Sequence, residues 1–264
     1  MRILKWLALM LSELMIIAGL VIGGYAAWQV YYTNIGANKA QTEALEEFYQ
    51  DSPVINNTAG PAPRQEGPPP QLATPEYGET IGVIHIPRFG SEWKHTIKHG
   101  TDLYTIIDHG HFGHYEDTAM PGDIGNFATA AHRISYGAAM KDVENLEFGD
   151  KIVVETKDAY LIYNFMAEEI VYPSGTWVID PDPFLTNNGN IPWEQVIANH
   201  QNQKIIDEYG EEVPQSDLLE RRLLTITTCH PPFVSNQRWA VWAEFEGWTD
   251  KADGLPAELM EGHN

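Results

Sequence analysis

Cys229 is the only cysteine in the chain and ends the run Leu223-Leu224-Thr225-Ile226-Thr227-Thr228-Cys229. Without a second thiol it cannot close an internal disulfide. The run is rich in β-branched residues and stops at His230-Pro231-Pro232, which predicts a buried strand with the thiol at its lip. A thiol at such a position suits a nucleophile; the competing assignment is a small buried apolar side chain, the commoner fate of a free cysteine. Two more residues share the placement. His132 follows the apolar run Asn126-Phe127-Ala128-Thr129-Ala130-Ala131. Imidazole titrates close enough to neutrality to protonate a leaving amine and deprotonate an incoming one. Arg238 opens the next strand, with eight residues between it and Cys229. If the two strands pair antiparallel, the end of the first lies beside the start of the second. A permanent guanidinium then sits near the thiol, where it can stabilise a thiolate or the oxyanion of a tetrahedral intermediate. His230 is nearer in sequence, but adjacent strand side chains point to opposite faces, which favours His132 as the base. A lone histidine is usually a surface or satisfied core residue, and a lone arginine a solvated one. The shared position at strand exits is what makes these three a set.

The elements that would hold them are mostly strands. Ile81-Gly82-Val83-Ile84-His85-Ile86-Pro87 alternates and is stopped by its proline. Residues 126–131, 151–156, 160–165, 167–172, 223–229 and 238–245 complete the set, with Lys157-Asp158-Ala159 as a turn. Helical patterning is sparse: residues 135–144, and 192–209 within a long polar excursion over 174–222. The expectation is an all-β barrel or sandwich with short helices over residues 78–249.

Ahead of that domain, Arg2 and Lys5 precede residues 6–32, whose only formal charge is Glu13. The length matches the roughly 20 apolar residues that cross a bilayer. The apolar region of a cleaved signal peptide spans only about 7–15 residues, and Tyr25-Ala26-Ala27 is a poor cleavage match. Residues 1–35 are therefore expected to be a retained signal anchor, with Arg2 and Lys5 cytoplasmic and the rest outside. Residues 36–77 read as a polar helical stalk followed by a Pro-rich linker, since 52–75 carry seven of the seventeen prolines. Such a segment is extended and semi-rigid, a spacer from the membrane. Residues 250–264 read as a loose tail. The formal charge of -21, from 37 acidic and 16 basic residues, argues against nucleic acid or an anionic membrane surface as partner.

On these residues the chain resembles sortases. Thr225-Ile226-Thr227-Thr228-Cys229 is similar to the TLxTC signature, with isoleucine in place of leucine, and Arg238 lies at a suitable spacing for the sortase arginine. His114-Tyr115, Thr118-Ala119-Met120-Pro121-Gly122, Gly125-Asn126-Phe127 and Ala131-His132-Arg133 resemble the segment leading to the sortase histidine, with Ala131 in place of a frequent glycine. Glu13-Leu14 and Tyr32-Thr33-Asn34 resemble the anchors of class E members. The resemblance implies an eight-stranded sortase-type β-barrel and a cysteine transpeptidase at the outer face of a Gram-positive membrane. It implies cleavage of an LPxTG-like or LAxTG-like sorting signal between threonine and glycine, a thioester, and transfer to an amine of a cell-wall precursor or pilin. Carried over, Cys229 is the nucleophile, His132 the general acid and then base, and Arg238 the oxyanion or substrate clamp. Thr228 would contact substrate or oxyanion. Tyr115 would line the substrate pocket, unless it simply packs into its loop.

Two features compete. Asp108-His109-Gly110-His111-Phe112-Gly113-His114 is dense in possible zinc ligands, but no second cluster supplies an obvious fourth. Asp180 and Asp182 fall short of the 6–8 oxygens that calcium takes. No cofactor or metal is expected. The alternative to an enzyme is a catalytically idle or metal-binding barrel displayed at the surface.

Overall fold

The computed structural model describes residues 2–50, 58–65, 67–171, 205–206, 212–213 and 221–260. Strands β1 (Thr80–His85), β2 (Lys94–His99), β3 (Phe112–His114), β4 (Gly125–Ala130), β5 (Lys151–Glu155) and β6 (Ala159–Val171) come first. A short pair, β7 (Ile205–Ile206) and β8 (Glu212–Val213), precedes β9 (Arg222–His230) and β10 (Gln237–Asp250). Eight of them close a barrel in the order β1-β2-β3-β4-β9-β10-β6-β5. All neighbours are antiparallel except β2 with β3 and β4 with β9. A barrel of this size is filled by side chains rather than hollow. The filling comes from alternate residues: Ile84, Ile97, Phe112, Phe127, Ile152, Val154, Leu224, Ile226 and Val241 share one buried cluster. In β9 that assigns Leu224, Ile226 and, by alternation, Thr228 to the inside, and Thr225, Thr227 and Cys229 to the outer face.

The expected all-β barrel is present, with local differences. β2 and β3 have no counterpart among the predicted strands, because Lys94-His95-Thr96-Ile97-Lys98-His99 carries too many polar residues to show apolar alternation. The two strands predicted over 160–172 are one, β6, carried through an irregularity where Ala167 and Phe165 face Trp242 and Ala243. Residues 135–144 are not a helix. Tyr136, Gly137 and Ala138 have φ of 53, 90 and 47°, three left-handed residues in succession that no right-handed helix can contain. The predicted helix over 192–209 lies outside the described residues except for 205–206, which pair as a strand with 212–213.

At the N-terminus, α1 (Arg2–Ala27) runs through a π-type turn (Trp28–Tyr32) into α2 (Thr33–Gln50). Residues Ile3–Ala27 are long and apolar enough to cross a membrane, and none of that face is buried by the protein. The structure of α2 differs from a free-standing stalk. Thr33, Ala37, Gln41, Ala44 and Phe48 form a helical stripe that is buried against the barrel. Gln41 accepts through Oε1 from Thr96 at 2.7 Å and meets His111 Nδ1 at 2.7 Å. At the far end the Tyr49 hydroxyl donates to Glu155 at 3.0 Å. Glu155 also meets His85 at 2.8 Å and the buried Lys251 ammonium at 2.7 Å. Burial alone would raise the Glu155 carboxyl, but the hydrogen bond and charge of His85, then Lys251, outweigh it and hold the group below the usual carboxylate range.

The described part of the Pro-rich segment meets β10 at Arg64. Arg64 and Trp248 exchange backbone hydrogen bonds at 2.8 and 3.1 Å, and the Arg64 guanidinium lies 4.7 Å over the Trp248 ring. Proline fits there, since an extended segment outside the ladder has few donors to satisfy. The expected loose tail is docked as far as its described residues go: Leu255 and Leu259 pack on Val153, Tyr160 and Ile162.

Candidate active site

Cys229 sits half-buried on the outer face of β9. Its partner across the antiparallel ladder is Arg238, so both side chains project from the same face. Two backbone carbonyls, of Ser235 and Gln237, accept from Arg238 Nη1 at 2.9 and 3.0 Å and steady the guanidinium at the start of β10. On the other flank, β4 pairs with β9 in parallel, ending at Ala130 opposite Thr227. The Ala131 N–H continues the ladder by donating to the Thr227 carbonyl at 3.1 Å. His132 is the next residue along the chain, where β4 has ended. Cys229 and Arg238 are thus paired across β9 and β10, and His132 directly follows Ala131, the last residue bonded to β9 from the other side.

The imidazole is held from two sides. Its Nε2 lies 2.7 Å from Asp108 Oδ1, and its ring stacks on Tyr136 with centroids 5.2 Å apart and planes inclined by 24°. A carboxylate only accepts, so this bond assigns the proton to Nε2 and leaves Nδ1 as the basic nitrogen of the neutral ring. Asp108 lies in the 3-10 turn Ile107–His109. Sequence reasoning placed it in a candidate zinc cluster and gave it no role beside His132. The two are 24 residues apart, and no short-range signal joins them.

Tyr115 is also on the outer face. Its hydroxyl meets Thr227 Oγ1 at 2.9 Å, two residues before the thiol. Thr227 spends its own proton on the Thr129 carbonyl at 3.2 Å, so the phenol donates to Thr227. Burial pushes the Tyr115 phenol up, against the lowering effects of the Thr227 hydrogen bond and the Arg238 charge. It therefore stays a neutral phenol. The loop after it is fixed by His114, whose Nε2 meets the Ala119 carbonyl at 3.0 Å, and by Thr118, whose hydroxyl donates to the Tyr115 carbonyl at 2.7 Å.

Thr228 does not join this group. Its side chain is 2% exposed and its hydroxyl donates to the Ala131 carbonyl at 2.8 Å. Alternation along β9 turns its side chain inward, which leaves its backbone as the part that faces the site. Thr228 anchors the backbone on which His132 follows. His230 is turned inward too. Its Nδ1 accepts from Arg133 Nη1 at 2.8 Å and its ring meets Trp239 edge-on at 5.3 Å. Arg133 is buried, pairs with Glu144 and lies 5.0 Å over Trp239, closing that end of the barrel.

The histidine-rich stretch is engaged in structural hydrogen bonds. His95 Nδ1 lies 3.0 Å from the Gly110 carbonyl, and His111 Nδ1 is 2.7 Å from both Gln41 and Thr96. His114 Nδ1 is 3.0 Å from His99 Nδ1. Burial lowers the pKa of His95 to about 4, of His111 to about 3 and of His114 to about 4, so all three are neutral near pH 7. Among the described residues, no three His, Cys, Asp or Glu side chains are grouped to hold a metal ion.

A thiol flanked by an oriented imidazole and a guanidinium is equipped for acyl transfer: attack, proton exchange and charge stabilisation each have a group. Comparison with known proteins agrees with that chemistry. A family model described as a sortase domain matches residues 84–246. Sortase SrtE2 of Streptomyces coelicolor is 29% identical over 249 residues, covering 92% of this chain and 83% of the relative. Sortase SrtE1 of the same organism is 27% identical over 256 residues, covering 95% of this chain and 60% of the relative. The crystal structure of sortase E1 from Streptomyces coelicolor, with a tripeptide in its active site, superposes with a TM-score of 0.52 at 28% identity, over 69% of this chain and 97% of that one.

Proposed function

The chain belongs to the sortase family and is a cysteine transpeptidase similar to class E members, and from that premise we propose which residues act, on what, and where. Cys229 Sγ passes its proton to His132 Nδ1 and, as thiolate, attacks the threonyl carbonyl carbon of an LPxTG-like or LAxTG-like sorting signal. Arg238 stabilises the oxyanion so formed. Collapse breaks the Thr–Gly bond, and His132 gives a proton to the departing glycine nitrogen. The threonyl group remains as a thioester on Cys229. An amine of a cell-wall precursor or pilin then attacks that carbonyl, His132 accepts the amine proton, and Cys229 departs as thiolate. Asp108 orients the imidazole and offsets its charge while it holds the extra proton. The single observation that supports this assignment most is the pairing of Cys229 with Arg238 across β9 and β10, with β4 running beside β9 up to Thr227 and leading directly to His132.

Tyr115 is proposed to line the substrate pocket. Its phenol donates to Thr227, so its oxygen lone pairs can accept the backbone N–H of an alanine in the second position of the signal, which a proline lacks. Residues 1–35 would anchor the enzyme with Arg2 and Lys5 cytoplasmic, residues 36–77 would connect it to a catalytic domain at 78–249, and that domain would face outward. The experiment is cleavage of a peptide carrying an LAxTG signal by full-length protein in detergent, compared with Cys229→Ala. Cleavage by the native protein and none by the variant is expected. Equal turnover by both would remove Cys229 as the nucleophile.

A further inference from the structure

We infer that the juxtamembrane helix α2 is part of the active-site scaffold, with Thr33 and Asn34 as positioning residues for His132. The inference rests on the reading of His132 as the acid–base. The loop after His132 holds Tyr136, Gly137 and Ala138 in the left-handed region, with φ of 53, 90 and 47°. For the two residues with side chains this conformation is unfavourable, and it persists only where surroundings impose it. Here α2 imposes it. The Tyr136 N–H donates to Thr33 Oγ1 at 3.3 Å, and the Gly137 N–H donates to Asn34 Oδ1 at 2.8 Å. Thr33 directs its own proton to the Gln29 carbonyl at 2.6 Å, which turns its lone pairs towards the loop. Two successive amides of a strained loop thus end on two successive side chains of one helix.

That loop carries Tyr136, whose ring stacks on His132. The second group that holds the imidazole rests on the same helix. Asp108 lies two residues before Gly110, where φ is 80° and an added Cβ would stand 3.3 Å from the Ala37 methyl. A Cβ on Gly137 would stand 3.3 Å from Gly110 Cα and 3.7 Å from the Ala37 methyl. Ala37 is 2% exposed. The histidine loop, the aspartate turn and α2 therefore meet at Gly110, Gly137 and Ala37, where only small residues allow it. Tyr136 and Asp108, the two contacts that orient His132, are both set by α2. Thr33 directly follows the turn Trp28–Tyr32 that continues the apolar helix, so the catalytic geometry is tied to the membrane stem itself.

The test uses full-length protein in detergent and reads kcat and KM for a sorting-signal peptide, thermal unfolding, and alkylation of Cys229 by iodoacetamide. Thr33→Val with Asn34→Ala removes both acceptors. It should lower kcat on the order of 10-fold, as a misaligned acid–base does, with KM, the thiol alkylation rate and the barrel's unfolding little changed. Asn34→Asp, which keeps the oxygen acceptor, should recover the rate when set against Asn34→Ala alone. If the double variant does not fold, that single pair carries the test. Native kcat in the variants while His132→Ala is inactive would overturn the inference and leave the reading of His132 standing. A loss in Asn34→Ala that Asn34→Asp does not recover would overturn it too. An active His132→Ala would remove the acid–base assignment and this inference with it.

Discussion

Asp108→Asn isolates the contribution of one charge to the proposed catalytic base. The substitution keeps size and shape but replaces the carboxylate 2.7 Å from His132 Nε2 by a neutral amide. Both side chains are largely shielded, at 17% and 15% exposure, so solvent screens the pair little. When His132 takes up a proton, the carboxylate becomes its counter-ion, and the amide cannot. A hydrogen bond to a charged partner is worth about 1.5–3 kcal/mol, so kcat/KM should fall about 10- to 150-fold. The amide can also turn its NH2 towards Nε2, which would favour the wrong tautomer and push the loss to the upper end of that range. The assay is steady-state cleavage of an LAxTG peptide, with thermal unfolding measured on the same sample. A rate within about threefold of native, in a variant of unchanged stability, would show that the carboxylate neither orients nor compensates the imidazole; a contact of this kind should contribute more.

Other expectations follow from the same geometry. His132→Ala and Arg238→Ala should each lose on the order of 10²-fold in rate, and Arg238→Lys should stay impaired because an ammonium lacks the planar fork. His230→Ala should keep most activity yet lose about 1–3 kcal/mol of stability in urea, because Arg133 is left with an unpaired buried donor; a loss of rate equal to that of His132→Ala would reverse the assignment of the base. Tyr115→Phe should reduce any preference for alanine over proline in the signal's second position, read as the ratio of kcat/KM for LAxTG and LPxTG peptides; a preference unchanged by the substitution would remove the hydroxyl as its cause. Stability should decline on acidification. His95, His111 and His114 have folded pKa values below the ordinary one, so the unfolded chain binds more protons as pH falls below about 6.5. Stability is then fully present above that pH and is lost towards pH 4, on the order of 1 kcal/mol per histidine by pH 5.5. Equal urea midpoints at pH 7.5 and 5.5 would contradict this.

The strands that carry the chemistry were readable because their residues speak for themselves. The β-branched residues Thr225-Ile226-Thr227-Thr228 favour a strand, the prolines after His230 mark where it ends, and the alternation that sets Cys229 outward also turns His230 inward. What was not readable depends on partners remote in sequence. β2 looks too polar for a strand until Gln41, Gly110 and His111 are seen to satisfy Thr96 and His95. The buried stripe of α2 is made of Thr33, Ala37, Gln41, Ala44 and Phe48, small or polar residues that resemble a solvated face until the barrel is beside them. Asp108 reads as one more potential ligand in a histidine-rich loop; only the fold brings its carboxylate to His132. The signature motif places a threonine at 228 but does not say that its hydroxyl is bonded to the Ala131 carbonyl. Residues 135–144 have a composition compatible with a helix, whereas in the left-handed Tyr136-Gly137-Ala138 turn the first two amides donate to Thr33 and Asn34 of α2, partners remote in sequence.

The central claim is that Cys229 carries the acyl group between cleavage and transfer. The most direct test is the mass of the intact protein after brief incubation with a sorting-signal peptide and no amine acceptor, followed by fragmentation to locate the adduct. The account predicts an added mass equal to the peptide up to its threonine, attached at Cys229, released by hydroxylamine and absent from Cys229→Ala. Cleavage of the Thr–Gly bond with no adduct at Cys229, under conditions that trap a thioester, would contradict it.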